Sequence, residues 1–366
     1  MILSICIPSF NHLSHLQDII DSFSLSKSNE CELVIVDNGS SENINSVIHT
    51  VDPRIKIIKR EVVIKGPENM GTCIEYGTGK YRLLVIDKDF IDGQFIDRFI
   101  DILKKHPQIK GGKCQLNCND NDNDYEIVDC RNNKNTKKIR DFFYTEGHPT
   151  GYLYSIEGIK VENETLVSFK ERWNPFNEDM LIARCATLGP MINYKSPLVY
   201  SLLGHPVDIN EKSGTYLKSN GNLFFEPKSR LHQMILNIRH LETLSVNMRQ
   251  FKQLLTIIYN STFDMITGIY ASILSQPYLC EHYGISCRKI RLIERLVYIR
   301  ELNKTFKEYD GLIHKNLLKK IVRDFSFKIP IRFLRSIAAT IKHKYFSRKQ
   351  NSSNNIAVCM KRWKLN

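Results

Sequence analysis

Residues 80–90 of this 366-residue chain read KYRLLVIDKDF. Residues 82–86 are mainly apolar and branched, which predicts a buried strand. The strand is followed at once by Asp87-Lys88-Asp89, and side chains at the carboxyl ends of strands line the ligand crevice of open α/β sheets. Carboxylate oxygens in that crevice suit Mg²⁺ or Mn²⁺ holding a diphosphate. We therefore predict a metal site at Asp87 and Asp89; the alternative is a polar strand end at which Asp89 caps the next helix.

Three more apolar runs precede this stretch and alternate with helical patterns. The additional predicted strands are residues 2–7, 33–36 and 55–58. Strands that alternate with helices indicate a parallel sheet with right-handed crossovers. In such a sheet Ser9, Asn11 and Asp37 would gather with the two later aspartates along one rim. We therefore predict a nucleotide site at that rim.

The order of these segments resembles family 2 glycosyltransferases of the GT-A fold. IPSFN follows the first strand, VIVDNGSSEN contains the second, NMG occupies residues 69–71, and IDKD ends the fourth. The resemblance covers residues 1–105, and the order of the motifs makes it specific. It implies an α/β protein in which a Rossmann-like, mostly parallel sheet is flanked by helices, here followed by a helical C-terminal region.

The resemblance also implies roles for individual residues. In the family, the turn after the first strand and the aspartate of the second motif hold the nucleobase and ribose, and the DxD motif holds ribose and metal. The donor-binding residues implied here are Pro8, Ser9, Asn11, Asp37, Asn69, Asp87 and Lys88, and the implied metal ligands are Asp87 and Asp89.

Two features depart from the family pattern. The stretch from Gly71 to Gly79 is short, which predicts a reduced helix and leaves the role of Asn69 open. Lys88 stands where the family commonly has aspartate. A lysine there either reaches a phosphate as a point charge or faces water.

A second chemical motif, FNEDML, occupies residues 176–181. We predict a helix over residues 178–188, stopped by Gly189-Pro190. Acids in the first turn of a helix are favoured by the helix dipole whatever their function. In the family, however, an ED pair at this point carries the catalytic base, which implies Asp179 here. An inverting transfer needs one base for the acceptor hydroxyl, because the metal stabilises the departing nucleoside diphosphate.

The segment HPTG at residues 148–151 opens the second part of the chain. Similar segments occur in bacterial surface-polysaccharide members of the family, and we place this one on the acceptor side. A plain turn is the alternative, because proline and glycine form turns wherever they occur.

Composition and length indicate a soluble protein that stays in the cytoplasm. The chain is 42% hydrophobic and 25% charged, and no apolar run reaches the roughly 18 residues of a membrane span. The ten cysteines include no CxxC pair, so we expect them to be reduced. The predicted domains are a GT-A domain (1–228, with a nucleotide-binding half at 1–110 and an acceptor half at 145–228), a helical region (229–314) and a basic amphipathic tail (315–366).

The tail holds the whole excess of positive charge. Residues 315–366 contain 14 lysines and arginines against the single acid Asp324, whereas the first 314 residues balance at 38 of each sign. Apolar residues recur between these charges, and Pro330 divides the block into two helices. A basic amphipathic pair of this kind favours an anionic membrane surface. The alternatives are a solvated helix face and a nucleic-acid patch; we predict no nucleic-acid partner.

We interpret the chain as an inverting, metal-dependent glycosyltransferase that uses Mg²⁺ or Mn²⁺. It would move a sugar from a nucleotide-sugar donor, UDP-linked by preference, to a glycan acceptor. The acceptor we favour is a lipid-linked oligosaccharide of bacterial O-antigen or capsule synthesis, met at the inner face of the cell membrane. One alternative is a sugar-nucleotide nucleotidyltransferase, although IPSFNHLSH is not its Gly-rich loop. The other is a non-catalytic glycan-binding or assembly subunit, against which the retained Asp37, Asp89 and Asp179 argue.

Overall fold

A computed structural model describes most of the first 274 residues. The described residues are 1–49, 51–64, 66–118, 124–131, 133–144, 148–159, 177–201 and 227–274, together with Asn316 and Ala338. The chain forms two compact units. The first comprises Met1–Leu203 with Leu244–Gln250, and the second comprises Gly204–Thr243 with Phe251–Asn366.

The N-terminal part of the first unit is a parallel sheet with helical crossovers. Its strands are β1 (Leu3–Ser9), β2 (Cys31–Asp37), β3 (Ile55–Lys59) and β4 (Tyr81–Leu84), in the spatial order β3-β2-β1-β4. The helices are α1 (Leu16–Phe23), α2 (Ile44–Val47) and α3 (Gly66–Tyr76). All four predicted strands are therefore present, within one or two residues of the expected bounds.

Apolar residues on both faces of the strands explain why this sheet is buried between helices. Leu3, Ile5 and Ile7 of β1 pack into one cluster with Ile19 and Ile20 of α1. On the opposite face, a smaller cluster joins the sheet to α3 through Cys6, Val34, Val36 and Cys73. Sheets covered on both faces carry continuous apolar strands, which is the pattern of β1 and β2.

The remaining strands extend the sheet with mixed directions. They are β5 (Asp89–Ile91), β6 (Gly111–Leu116), β7 (Tyr125–Asp129), β8 (Tyr152–Ser155) and β9 (Pro190–Ser201). Beyond β4 the order continues β8-β6-β9-β5, and β7 pairs with β9. Only β6 and β9 run parallel here among the pairs formed by these strands. The helices are α4 (Ile96–Lys105), α5 (Thr136–Ile139), α6 (Ile156–Ile159) and α7 (Asn177–Leu188). The predicted α/β class is confirmed, with a parallel N-terminal half and a mixed second half.

Helix α3 is longer than the sequence suggested. It begins at Gly66 rather than after Gly71, so it has 11 residues and contains Asn69 within its first turns. The prediction of a reduced helix counted only the residues after the NMG motif. The helix gains its length on the N-terminal side, where Gly66 and Pro67 are residues typical of a helix start.

Two long helices represent the helical C-terminal region. They are α8 (Pro227–Thr243) and α9 (Met248–Leu274). Each buries an apolar face, with Met234, Ile235 and Ile238 on α8 and Leu254 and Ile258 on α9. None of the helices in the described ranges is long and apolar enough to cross a bilayer. The predicted tail, residues 315–366, lies outside the described residues except for Asn316 and Ala338.

Candidate active site

The carboxyl ends of the parallel strands bring predicted donor-binding residues side by side. Ser9 at the end of β1 is in register with Asp37 at the end of β2, and the backbone N–H of Asn38 donates to the Ser9 carbonyl at 2.8 Å. Pro8 is buried one position earlier, opposite Val36. The two strand ends thus lie side by side at one edge of the sheet, where the order of the motifs predicted them.

Asp37 is held by the turn that follows it. The backbone N–H of Ser40 donates to Asp37 Oδ1 at 2.9 Å, and the Ser40 hydroxyl donates to the same oxygen. The Ser40 hydroxyl in turn accepts from the N–H of Asn11 at 2.8 Å. Asn11 adopts a φ of 56°, a left-handed conformation that asparagine tolerates better than most residues. These contacts tie the two predicted nucleotide motifs together.

The second oxygen of Asp37, Oδ2, is a candidate ligand contact. It is buried and has no hydrogen-bond partner in the part of the chain that the structure describes. A buried acceptor without a donor costs free energy, so such atoms in folded proteins usually bind a water molecule or a ligand. Asn69 behaves similarly: its Nδ2 donates to Val36 O at 3.4 Å, whereas its Oδ1 is buried without a described partner.

Asp87 lies against the end of the first strand. Its Oδ2 accepts from the backbone N–H of Phe10 at 3.0 Å. Burial raises the pKa of Asp87 to about 6, and the negative charge of Asp89 adds to the rise, although Phe10, Ser9 and Lys88 favour the charged form. A carboxylate that is costly to ionise in isolation gains from a cation beside it. The positive charge of Lys88 lowers the pKa of Asp87. A contact of Lys88 with a phosphate stays a prediction.

Asp89 is the first residue of β5 and is 2% exposed. Its Oδ2 accepts a hydrogen bond from the hydroxyl of Thr150 and lies 3.5 Å from Nδ1 of His148. Burial lowers the pKa of His148, although Asp89 opposes that shift, so the imidazole is neutral at pH 7. The HPTG turn therefore contacts the DxD carboxylate, and its position on the acceptor side stays a prediction.

The carboxylate ligands at this rim fit a divalent cation that binds together with a diphosphate. Within the described ranges, no group of three or more His, Cys, Asp or Glu residues is arranged to hold a metal by itself. Asp87 and Asp89 supply two buried carboxyl groups. Mg²⁺ commonly binds through one or two carboxylates and completes its shell with substrate phosphates and water. The orphan acceptor on Asp37 further indicates that a polar ligand belongs beside these residues.

The predicted base, Asp179, lies in the first turn of α7 and is 1% exposed. Its Oδ1 accepts from the hydroxyl of Tyr152, the first residue of β8, at 2.7 Å. The adjacent Glu178 is also buried, and burial followed by the charge of Asp179 raises its pKa to about 8. Glu178 is therefore mostly protonated at pH 7.

The comparison with protein families gives a match for the N-terminal part of the chain. Residues 4–152 match the family described as "Glycosyl transferase family 2". These residues, which are less than half of the chain, are similar to family 2 glycosyltransferases. The matched segment runs from Ser4 in β1 through β7 to Tyr152, the first residue of β8. It contains every predicted donor-side residue, so the resemblance inferred from the motifs is confirmed.

A curated protein is similar to this chain over a shorter stretch. A Mycoplasma genitalium protein described as the uncharacterised glycosyltransferase MG060 is 31% identical over 116 residues, which are 30% of this chain and 38% of that protein. The chain thus matches little more than a third of that relative's length.

Solved structures show the same fold over a longer stretch. S. aureus TarS 1–349 superposes with a TM-score of 0.59 at 11% identity, covering 95% of this chain and 92% of that chain. Its complex with UDP-GlcNAc gives a TM-score of 0.57 at 12% identity, with the same coverage. The prediction of a GT-A fold is confirmed.

Three residues of the candidate site were not predicted as functional. Ser40 and Thr150 bond the carboxylates of Asp37 and Asp89, and Tyr152 bonds Asp179. A signal existed for Ser40, because Asp37-Asn38-Gly39-Ser40 is a sequence typical of an aspartate-led turn. For Thr150 the HPTG motif was noticed, but its contact across 61 residues of sequence could not be deduced.

The protonated state of Glu178 leads to a prediction about stability. The unfolded chain ionises this group near its ordinary pKa of 4.5, whereas the folded chain keeps the proton until about pH 8. Between those values the unfolded state binds fewer protons, so the free energy of unfolding should fall as pH rises, by up to about 1.4 kcal/mol per pH unit.

The Glu178→Gln variant removes this titration while keeping the side-chain shape. We expect its free energy of unfolding to exceed that of the wild type by a margin that grows from pH 5 to pH 8 and is constant above. Urea denaturation at pH 5, 6.5, 8 and 9 measures the margin. An identical pH dependence in the two proteins would show that Glu178 is ionised in the fold.

Proposed function

We propose that this chain is an inverting glycosyltransferase that depends on a divalent metal and takes its sugar from a nucleotide-sugar donor. The observation that carries the proposal is the placement of two buried carboxylates with different partners. Asp89 lies at the donor rim beside Asp87, and Asp179 lies at the start of α7 under the hydroxyl of Tyr152. Two such sites meet the two needs of the reaction, which are an anchored leaving group and a base.

The donor side would be bound by the strand ends. Asp37 and Asn69 offer buried acceptors to the nucleoside, and Ser9 and Asn11 frame the turn beside them. Asp87 and Asp89 would hold Mg²⁺ or Mn²⁺, which supplies positive charge to the departing diphosphate. Lys88 would add a further positive charge on the phosphate side.

The acceptor side would be served by Asp179. The acceptor hydroxyl oxygen forms a bond to the anomeric carbon as the bond from that carbon to the diphosphate oxygen breaks. The hydroxyl proton passes to the Asp179 carboxylate, and the nucleoside diphosphate leaves with the electron pair. Attack from the face opposite the leaving group inverts the anomeric centre. The neutral Glu178 beside Asp179 donates no second charge to this step.

A UDP-linked donor is the first choice. TarS structures that share this fold include one in complex with UDP and one in complex with UDP-GlcNAc. At 12% identity these neighbours support the fold rather than the specificity, so the choice of UDP is an inference from similarity. The sugar itself is left to experiment.

We further propose a lipid-linked glycan as the acceptor, with the enzyme working at the cytoplasmic membrane surface during polysaccharide synthesis of the O-antigen or capsule type. The support is the charge of residues 315–366, which carry 14 basic residues and one acid. An anionic surface attracts such a segment without requiring a membrane-spanning helix.

A panel of nucleotide sugars tests the donor proposal. Thermal unfolding of the full chain should shift upward with at least one nucleotide sugar in the presence of Mn²⁺, and the shift should shrink when the metal is omitted. UDP sugars should give the largest shifts. Equal unfolding temperatures with every donor, with and without Mn²⁺, would contradict the proposal.

Residues 315–366 give a separate prediction about membranes. The full chain should sediment with anionic vesicles at low salt and less at high salt, because each basic residue near the surface contributes up to about 1 kcal/mol that salt screens. A chain that ends at His314 should lose this binding. Apolar anchoring through Phe325, Phe333 and Ile337 predicts a residual binding that salt does not remove.

The alternatives for this segment predict other results. A solvated helix face predicts no vesicle binding and an insoluble truncation, because the helices would cover apolar core. Equal sedimentation of the full and shortened chains with anionic vesicles would remove the membrane assignment.

A further inference from the structure

We propose that residues 150–152, Thr150-Gly151-Tyr152, are one positioning element that holds both carboxylates of the reaction. Thr150 orients Asp89, and Tyr152 orients Asp179. The inference rests on the proposed function, because it takes Asp89 as a metal ligand and Asp179 as the base. It adds two residues, neither of which touches the reacting atoms, as determinants of activity.

The hydroxyl of Thr150 has a fixed direction. Its oxygen accepts from the backbone N–H of Ile86 at 3.0 Å, so its own proton is free to point to Asp89 Oδ2. Thr150 is fully buried, which keeps water from competing for either bond. The result is a chain of hydrogen bonds from Ile86, two residues after β4, through Thr150 to the first residue of β5. A carboxylate held in this way keeps one rotamer and presents a defined face to a cation.

Tyr152 performs the corresponding task two residues later. Its phenol donates to Asp179 Oδ1 at 2.7 Å, and its ring is fully buried. The Tyr152 ring packs near the Tyr154 ring, with centroids 6.3 Å apart, and the ammonium of Lys113 lies 5.1 Å from the Tyr152 ring centroid. These neighbours fix the phenol, so the direction of the hydrogen bond to Asp179 is set by β8 rather than by α7.

Gly151 joins the two contacts and anchors them to the sheet. Its N–H donates to Leu84 O at 2.8 Å, and its carbonyl accepts from the N–H of Cys114 at 2.8 Å. Its φ of +94° is strained for any other residue, and a Cβ there would collide with the carbonyl of Cys114. The element is therefore clamped between β4 and β6, so both side chains start from a rigid backbone.

The two halves of the element predict two different defects. Loss of the Thr150 hydroxyl should weaken Mn²⁺ binding about 10- to 100-fold, which is typical of groups that support metal ligands. Turnover should then recover when Mn²⁺ is raised to saturation. Loss of the Tyr152 hydroxyl should leave Mn²⁺ binding unchanged and lower turnover by about tenfold or more, because the base loses a hydrogen bond to a charged group.

The experiment uses the full chain with Mn²⁺ and UDP as the probe. Electron paramagnetic resonance of free Mn²⁺ gives the metal affinity in the presence of UDP, and turnover is measured with the nucleotide sugar identified by the donor panel. The variants are Thr150→Val and Tyr152→Phe, with Thr150→Ser as the rescue of the hydroxyl. If Thr150→Val does not fold, the difference between Thr150→Ser and Thr150→Ala isolates the same hydroxyl.

Matched controls come from two other buried residues that donate hydrogen bonds to backbone carbonyls. Thr262 is fully buried and donates to Ile258 O within its own helix at 2.9 Å, so Thr262→Val tests the general effect of the substitution. Tyr81 is 1% exposed and donates to Ile109 O at 3.1 Å, so Tyr81→Phe does the same for tyrosine. Both controls should bind Mn²⁺ and turn over as the wild type does.

The outcomes separate the positioning element from the function on which it rests. Wild-type Mn²⁺ affinity in Thr150→Val, or wild-type turnover in Tyr152→Phe, overturns the corresponding half of the proposal. The same uniform loss in these variants and in the controls overturns both halves. If the wild-type chain binds no Mn²⁺ with UDP, the proposed function is overturned together with the role of Thr150. If it turns over no nucleotide sugar, the proposed function is overturned together with the role of Tyr152.

Discussion

The Asp89→Asn variant loses sugar transfer, by a factor of about a thousand or more, together with the metal-dependent part of nucleotide binding. The reason is charge: an amide is a weak ligand for a hard cation, and metal stabilisation of a leaving diphosphate is worth several kcal/mol. The fold should survive, because the amide oxygen of asparagine can still accept from the hydroxyl of Thr150. Turnover and calorimetric titration of UDP, each with and without Mn²⁺, measure the two losses.

A control for Asp89→Asn is the removal of a surface carboxylate. Asp129 on β7 is 41% exposed and pairs with Arg131, so Asp129→Asn changes the net charge equally without touching the site. It should leave both turnover and metal dependence unchanged. Full activity of Asp89→Asn, or of the wild type in excess EDTA, would remove the metal assignment from the DxD motif.

The Asp179→Asn variant should lower turnover by at least about a hundredfold, which is the usual scale for a general base. Donor affinity should hardly change, because the base serves the acceptor. The Tyr152 phenol can still donate to the asparagine oxygen, so the local packing is retained. Steady-state turnover and calorimetry with UDP in the presence of Mn²⁺ give the two quantities.

A loss of donor binding at unchanged turnover would show that Asp179 is not the base. Comparison with Glu178→Gln sharpens the result, because Glu178 is already protonated at pH 7 and its amide should act much as the acid does. A larger loss in Glu178→Gln than in Asp179→Asn would move the base to Glu178.

The donor side of the site could be predicted from sequence because it depends on local features. Each of its residues follows a strand, and strands that run parallel end at the same rim. Ser9 and Asp37 are therefore neighbours by topology, and their register follows from the pairing of β1 with β2. The DxD motif lies at the next strand end for the same reason, and Asp87 contacts Phe10 of the first motif.

The second half of the site depends on contacts that no local pattern specifies. Thr150 contacts Asp89 because β8 pairs antiparallel with β4. The sequence does not specify this pairing. Likewise, Asp179 is bonded by Tyr152 through the packing of α7 against β8. A sequence shows a turn at residues 148–151, but it does not show which carboxylate that turn contacts.

Burial was equally hard to read from the sequence. The ED pair at residues 178 and 179 looked like an ordinary acidic first turn, which is normally solvated. In the structure both residues are at most 5% exposed, and burial shifts the pKa of Glu178 to about 8. The charge pattern of residues 315–366 was visible at once, but whether it meets lipid is a property of the surroundings, which the vesicle experiment must supply.

The most direct test of the account is the release of nucleoside diphosphate by the full chain, measured across a panel of nucleotide sugars with Mn²⁺. Even without an acceptor, slow hydrolysis of the right donor reports the complete donor site. We expect release from at least one nucleotide sugar, a UDP sugar by preference, with loss of the signal in EDTA and in Asp89→Asn. Release that persists unchanged in both conditions, or no release from any donor under any condition, would contradict the account.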